Sequence, residues 1–247
     1  MKKLLVTFIF CVSAGFLIAQ DLTVDEIISK NLKAIGQDKL MTFQTIKETG
    51  KMIQGPAEFV MTEIMKKPEF DRLDMEIQGI KIIMSTDGKT GWMINPLSTG
   101  TSDPQDLSPD MIKSMMADGM RFPDVNWYNP FLNWKEKGTK IDLIGKEDLN
   151  GTPVYNLKFT FSDSVVVNYY MDASKFVVLK KKSTETVMGQ TYELEEIYSD
   201  FKVIDGILCP GKNESLKNGQ VETVSITDKY EFNVPIDESI FKKPVKN

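Results

Sequence analysis

The sequence predicts a mainly β protein (α+β) in which one large antiparallel sheet curls into a closed or half-closed barrel. Hydrophobic and polar residues alternate with a period of two in several segments after Phe43, as in strands with one buried face. Tight-turn dipeptides separate these segments, and no helical segment lies between successive strands of the second half. Because twist accumulates and open edges invite aggregation, such a sheet is expected to curl on itself.

The first residues are expected to be a cleavable export signal. A short basic start precedes an apolar run that is shorter than the roughly 20 residues needed to cross a bilayer, and Ala19 ends a cleavage-site pattern. A retained membrane anchor is the alternative, but no basic stop-transfer cluster follows. We therefore expect residues 1–19 to be a signal peptide cleaved near Ala19, residues 20–247 to form a single domain, and the mature protein to be periplasmic.

A helix and then a series of hairpins are predicted along the mature chain. Thr23 and Glu26 form a capping box for an amphipathic helix that Gly36 ends. Alternating runs then predict about eleven strands. The strongest hairpin signals are Gln78-Gly79, Asp87-Gly88, Asn150-Gly151, Asp205-Gly206 and Asn218-Gly219.

An irregular insertion interrupts the strands between residues 95 and 134. Ser108 is the predicted N-cap of a helix with Pro109 at its first position, and methionines form its apolar stripe. Long structured insertions are often binding loops or lids. The stripe is either the movable wall of an apolar ligand cavity, since methionine adapts to irregular ligands, or ordinary core packing.

Composition excludes several classes of chemistry. The chain has no histidine, so a Ser-His-Asp triad, a Cys-His pair and a histidine metal site are excluded. Cys209, the only cysteine after signal removal, is interpreted as a buried apolar residue and not as a reactive thiol. Glu193, Glu195 and Glu196 are interpreted as an exposed acidic edge rather than a catalytic cluster. Loss of Lys2 and Lys3 with the signal changes the net charge from −5 to −7, which argues against nucleic acid or anionic lipid head groups as partners. We expect neither enzymatic activity nor a cofactor nor a bound metal.

Several segments together resemble the LolA-type outer-membrane lipoprotein-sorting proteins, the periplasmic lipoprotein-carrier family. They are the capped N-terminal helix and residues 68–72, 85–92 with 95–96, 170–172 and 198–210. The resemblance implies an incomplete antiparallel β-barrel of the LolA/LolB type, with helices acting as plug and lid over a hydrophobic cavity.

The resemblance also implies a function and partners. Family members accept the acyl chains of lipoproteins released from the inner membrane and pass them to an outer-membrane acceptor. The implied partners are therefore lipoprotein acyl chains or lipid, an inner-membrane release complex and an outer-membrane acceptor. An envelope sensor or interaction protein that reuses the same lipid-binding barrel is the alternative.

The candidate ligand site consists of a cavity wall, a lid and one arginine. The predicted wall residues are Phe59, Met61, Leu73, Met75, Ile77 and Trp92. The predicted lid residues are Met111, Met115, Met116, Phe122 and Trp127. By resemblance Arg72 is the arginine that locks the lid, whereas its alternation with Leu73 predicts an outer, solvated position, so both positions stay open.

Overall fold

The computed structural model describes residues 22–116, 127, 129–161, 165–187 and 189–245. The predicted signal peptide (residues 1–19) and Phe122 lie outside these ranges. The helices are α1 (Val24–Ile35), α2 (Gln37–Leu40), α3 (Pro96–Thr99), α4 (Pro109–Met116) and a C-terminal 3₁₀ helix (Glu238–Phe241).

The described residues contain fifteen strands. They are β1 (Thr45–Gln54), β2 (Ala57–Lys66), β3 (Phe70–Ile77), β4 (Ile80–Thr86), β5 (Gly91–Ile94), β6 (Gln105–Asp106), β7 (Lys140–Leu149), β8 (Thr152–Thr160), β9 (Val166–Asp172), β10 (Val178–Val187), β11 (Gln190–Ser199), β12 (Lys202–Ile204), β13 (Ile207–Cys209), β14 (Lys212–Lys217) and β15 (Gln220–Phe232). The predicted number of about eleven was too low. Strands β6, β12 and β13 have only two or three residues each, too few to show an alternating pattern.

Thirteen of these strands form one antiparallel sheet. Their order is β6-β5-β4-β3-β2-β1-β15-β14-β11-β10-β9-β8-β7, and β12 pairs with β13 in a separate hairpin. The edge strands β6 and β7 do not pair with each other, so the sheet curls without closing. The predicted mainly β fold and incomplete barrel are therefore confirmed. Among the described residues, no helix has the length and apolar character needed to cross a membrane.

The local signals at the start of the mature chain are confirmed. The Thr23 hydroxyl accepts a hydrogen bond from the Glu26 N–H, and the Glu26 carboxylate accepts one from the Thr23 N–H at 2.8 Å. Gly36 ends α1 in the left-handed region, with φ of 76°. A Cβ at Gly36 would lie 2.2 Å from the carbonyl oxygen of Gly206, so this glycine also lets the β12–β13 hairpin approach the end of α1 closely.

All five predicted turn dipeptides connect paired strands. In four of them both residues have positive φ, as in Asn150-Gly151 with φ of 51° and 85°. Such angles suit the right-handed twist of antiparallel hairpins. The turns are encoded locally, which explains why the sequence alone predicts them.

The register divides the sheet into an inner face, on which α1, α2 and the β12–β13 hairpin pack, and an outer face. Residues directly opposite each other on neighbouring strands share a face. One complete row of the inner face consists of Leu143, Leu157, Tyr169, Lys181, Glu196, Ser215, Thr223 and Gln54. This row crosses the sheet from β7 to β1.

The inner face of β7, β8 and β9 carries the larger core cluster, here called the aromatic zone. Its buried members are Tyr155, Leu157, Phe159, Phe161, Val167, Tyr169 and Met171, together with Ile141. Ile27 and Ile28 of α1 pack on it, as does Phe131. The ring centroid of Phe159 lies 4.6 Å from that of Tyr169. Helix α1 therefore covers this half of the inner face.

A second cluster, the plug core, forms where α2 and β13 meet the sheet. It contains Leu40, Phe43, Ile46, Met65, Trp127, Ile207, Cys209 and Tyr230. Ile46 and Met65 are directly opposite on β1 and β2. The plug core therefore covers one end of the inner face of the first strands.

Candidate ligand site on the inner face

The inner face of β1 to β5 is rich in methionine, and we call it the methionine zone. It comprises Met52, Phe59, Met61, Leu73, Met75, Ile77, Ile82, Met84 and Met93. Met61 lies opposite Met75, and Met84 lies opposite Met93. Five of the six predicted wall residues therefore share this face. Their role in binding a ligand stays a prediction.

The methionine zone is buried only in part, and Ile82 on β4 is among its buried members, with 8% of its surface exposed. Phe59 and Met61 are buried, with 8% and 9% of their surface exposed. Leu73 and Met75 on β3 are half-buried, and so is Met93 on β5. An apolar surface that is shaped by the sheet but incompletely covered is available to a flexible apolar ligand.

Trp92 lies on the opposite face of the sheet, so its prediction as a wall residue is wrong. It is directly opposite Ser85, which is in turn opposite Arg72, and these residues belong to the outer face. Strand β5 has only four residues, so its alternation is too short to show which residues face inward. Met93 occupies the inner position.

The predicted lid is described in part. Met111 is exposed at 41% of its surface, whereas its neighbour Ile112 is buried. The side chains of Met115 and Met116 lie outside the described part of the structure, although their backbone belongs to α4. Trp127 is buried in the plug core, where its indole N–H donates to the carbonyl oxygen of Leu40 at 3.0 Å.

Arg72 lies on the outer face, but it is not solvated. Only 17% of its side chain is exposed, and its Nε lies 2.9 Å from a carboxylate oxygen of Asp74. Its Nη1 donates to the carbonyl oxygen of Ile240, and its guanidinium lies 5.7 Å from the centre of the Trp92 ring. The position predicted from alternation is thus correct and the predicted solvation is wrong. Among the described residues, the contact of Arg72 with the Ile240 carbonyl holds the C-terminal 3₁₀ helix.

Arg72, Ser85 and Trp92 form what we call the C-terminal clamp. The indole N–H of Trp92 donates to the carbonyl oxygen of Phe241 at 2.8 Å, and the Ser85 hydroxyl donates to the same oxygen at 3.3 Å. The Phe241 ring lies 5.0 Å from that of Phe70. The sequence analysis missed this clamp, although the adjacent apolar residues Ile240 and Phe241 in the charged C-terminal tail were an available signal.

Glu193 and Glu195 do not lie at an edge of the sheet. Strand β11 lies between β10 and β14, so the predicted acidic edge is wrong. Glu193 and Glu195 each lie 2.7 Å from a lysine of β10, Lys182 and Lys180 respectively. The hydrogen bond from Lys182 lowers the pKa of Glu193 below its usual range. These residues form a paired ladder on the outer face, whereas Glu196 points inward.

Two carboxylates lie on the inner face and were not predicted. Glu48 and Glu63 are directly opposite each other on β1 and β2, and only 5% and 6% of their surfaces are exposed. The Thr227 hydroxyl donates to Glu48 at 2.6 Å. The signal was present in the sequence, because Glu48 alternates in phase with Ile46. These groups make the inner face polar between the plug core and the methionine zone.

Cys209 is a core residue, as predicted. Only 1% of its surface is exposed, and it belongs to the plug core. Burial, together with the nearby charges of Glu48 and Asp205, raises the pKa of its thiol to about 12. A thiol with this pKa stays protonated and unreactive. In the described part of the chain, no group of three or more histidine, cysteine, aspartate or glutamate residues is arranged to hold a metal ion.

Solved structures share this architecture. A LolA superfamily protein from Nitrosomonas europaea matches with a TM-score of 0.57 at 19% identity, over 90% of this chain and 99% of that one. A putative outer membrane lipoprotein-sorting protein domain from Vibrio parahaemolyticus matches with a TM-score of 0.58 at 13% identity, over 88% and 97%. The chain has the LolA-like fold. A DUF1329 family protein from Desulfovibrio piger matches this LolA-like chain with a TM-score of 0.55 at 13% identity, over 87% and 97%.

At these identities the likeness concerns the LolA-like fold alone. At the level of sequence, no family model and no curated protein matches the chain. What a LolA-like chain binds must therefore be argued from its own residues.

Proposed function

We propose that this LolA-like protein is a periplasmic carrier that shields acyl chains of lipoproteins or lipids during transfer towards the outer membrane. One observation carries the proposal: the methionine zone is a shaped apolar surface that the described residues cover incompletely. Its half-buried members include Leu73, Met75 and Met93. An apolar surface of this kind is a binding site more often than a stable solvent-facing surface.

The residue types suit a ligand that must be held and then released. Complete burial of a sixteen-carbon acyl chain contributes roughly 12 kcal/mol of favourable hydrophobic free energy. Methionine is unbranched and polarizable, so it adapts to chains of different lengths and shapes without one fixed complementary fit. A site that buries the chain in part retains it without making release prohibitively slow.

The proposal assigns the protein to a binding class and not to an enzyme class. Two carboxylates of the inner face have structural hydrogen bonds, since Thr227 donates to Glu48 and Asn213 donates to Glu196. By resemblance, the partners would be an inner-membrane release complex and an outer-membrane acceptor. The same resemblance supports export by the N-terminal signal and a periplasmic location.

A fluorescent fatty-acid probe tests whether the methionine zone binds acyl chains. We expect Met75→Asp to weaken probe binding by at least about tenfold, because the acyl chain would then have to desolvate a carboxylate. Val60→Asp is the matched control, since Val60 lies on the outer face of the neighbouring strand and is 64% exposed. It should bind the probe as the wild type does.

Two results would contradict the proposal. One is unchanged probe binding by a folded Met75→Asp variant, and the other is equal loss in both variants. Native mass spectrometry of the protein purified from its own cell envelope then identifies the cargo, with bound acylated species as the expected result.

A further inference from the structure

The inner face changes from apolar to polar at β15. On β15, β14, β11 and β10 this face carries polar residues, together with Leu194, Tyr198 and a stacked pair of Tyr192 and Lys217. We call the part formed by four short hydroxyl residues and one charged pair the polar zone. Its members are Thr223, Ser225, Ser215, Ser183, Lys181 and Glu196. All six are half-buried. The inner face therefore has a polar zone between its methionine zone and its aromatic zone.

The polar zone is continuous with the methionine zone. Ser225 is directly opposite Met52, which is directly opposite Phe59. Neighbouring strands lie about 4.8 Å apart, so the first hydroxyl is one strand away from the nearest methionine. An acyl chain lying on the methionine zone thus has its polar end within reach of Ser225 when it runs across the strands.

The polar zone differs from an ordinary solvated sheet surface. The outer face of β10 and β11 carries long charged side chains that pair with each other, such as Lys180 with Glu195. The inner face of β10 and β11 carries Ser183 and Leu194 directly opposite each other, and the Lys181–Glu196 pair beside them. Ser215 and Ser225 follow on β14 and β15, and each hydroxyl both donates and accepts hydrogen bonds.

Charge on the polar zone is balanced. Lys181 is directly opposite Glu196, and the Asn213 side-chain amide donates to Glu196 at 2.7 Å. Glu48 and Glu63 add acidic groups on the side of the plug core. This arrangement disfavours an anionic head group and suits an uncharged group that donates and accepts hydrogen bonds.

We propose that the polar zone binds the polar part of the same amphiphile whose acyl chain lies on the methionine zone. The ligand class is an acylated molecule with an uncharged hydroxyl or amide group next to its chain. The inference rests on the proposed carrier function, because it assigns the head-group end of that site. A glyceride and an acylated peptide share this chemistry.

Three probes with the same sixteen-carbon chain test the inference. Monopalmitoylglycerol carries hydroxyl groups, N-palmitoylglycinamide carries amides, and methyl palmitate has no hydrogen-bond donor. We expect wild-type protein to bind the first or the second probe about tenfold more tightly than methyl palmitate, as two or three net hydrogen bonds allow. The preferred probe distinguishes a glyceride from an acylated peptide as the source.

A double variant, Ser215→Val/Ser225→Val, identifies the residues responsible. Valine favours strands, so the variant keeps the sheet and loses two inner hydroxyls. We expect it to bind all three probes with similar affinity and methyl palmitate as the wild type does. Thr62→Val is the control, because it removes a hydroxyl from the outer face of β2 and should keep the tenfold preference.

The outcomes separate the two proposals. If methyl palmitate binds and neither polar probe binds better, the inference about the polar zone is wrong and the carrier function stands. A preference that survives in the double variant also overturns the inference. If no probe binds, both proposals fail.

Discussion

The aromatic zone and the methionine zone lie at the two ends of the inner face and both carry large apolar side chains, but they differ in how completely those side chains are buried. In the aromatic zone, Leu157, Phe159 and Met171 have no exposed surface. In the methionine zone, Leu73 and Met75 stay half-buried. The same sheet supports both, so the difference lies in the cover: α1 packs on the aromatic zone through Ile27 and Ile28.

Because of this difference in burial, we expect the two zones to have different roles, one in the stability of the fold and the other in ligand binding. Close-packed interiors lose several kcal/mol when a large side chain is truncated, whereas partly exposed surfaces lose little. Regions with few buried contacts are also those that open most easily. We therefore expect the aromatic zone to hold the fold together and the methionine zone to change shape around its ligand.

The largest expected effect tests this separation directly. Phe159→Ala should lower the free energy of unfolding by about 3–5 kcal/mol, because it leaves a cavity among fully buried rings. Met75→Ala should cost about 1 kcal/mol or less, because its side chain is already half-exposed. Urea unfolding followed by circular dichroism measures both. Equal losses in the two variants would show that the two zones are packed alike.

The next effect concerns the C-terminal clamp, which lies on the outer face of the strands that carry the methionine zone. Arg72→Leu should cost about 1–3 kcal/mol, because the Ile240 carbonyl loses its donor and Asp74 loses its partner. Hydrogen exchange should increase in residues 234–245. Lys229→Leu is the control, since Lys229 forms an exposed pair with Glu231 that is worth at most about 1 kcal/mol.

The same Arg72 variant also tests the lid-lock role suggested by resemblance. Its contacts lie on the outer face, so we expect transfer of an acylated cargo to proceed at the wild-type rate. Slower transfer together with unchanged exchange at the C-terminus would instead favour a lock on the lid.

The smallest effect concerns the turn that follows β9 in the aromatic zone. Burial raises the pKa of Asp172, but hydrogen bonds from the Ser174 hydroxyl and from the backbone N–H groups of Ser174 and Lys175 outweigh it and hold that pKa below its usual value. The ionised group therefore stabilises the fold at neutral pH, and this stabilisation is lost as the pH falls through the folded-state pKa. Asp172→Asn should cost about 1 kcal/mol at pH 7.

Unfolding at two pH values checks the prediction for Asp172. The difference between wild type and Asp172→Asn should be smaller at pH 3 than at pH 7, because the carboxyl of the unfolded state is already largely protonated there and the stabilisation declines towards the folded-state pKa. A difference that is the same at both pH values would mean that the side chain acts by shape and not by charge.

Much of the candidate site follows from alternation. Leu73, Met75 and Ile77 share a face because successive side chains of a strand point to opposite sides, and this holds without knowledge of the rest of the fold. Trp92 was misplaced because four residues of β5 do not show which phase faces inward. Glu48 was overlooked because its alternation with Ile46 conflicts with the expectation that carboxylates are solvated.

The sequence by itself determined the helix caps, the hairpin turns and the mainly β character, because each depends on backbone preferences within a few residues. Only the tertiary structure decided which part of the inner face is covered and what Arg72 holds. The Arg72–Ile240 contact joins residues 168 positions apart. Helix α1, near the N-terminus, packs on β7 to β9, which come much later in the sequence. Such contacts between distant segments depend on how the whole sheet curls, so they cannot be predicted from local sequence patterns.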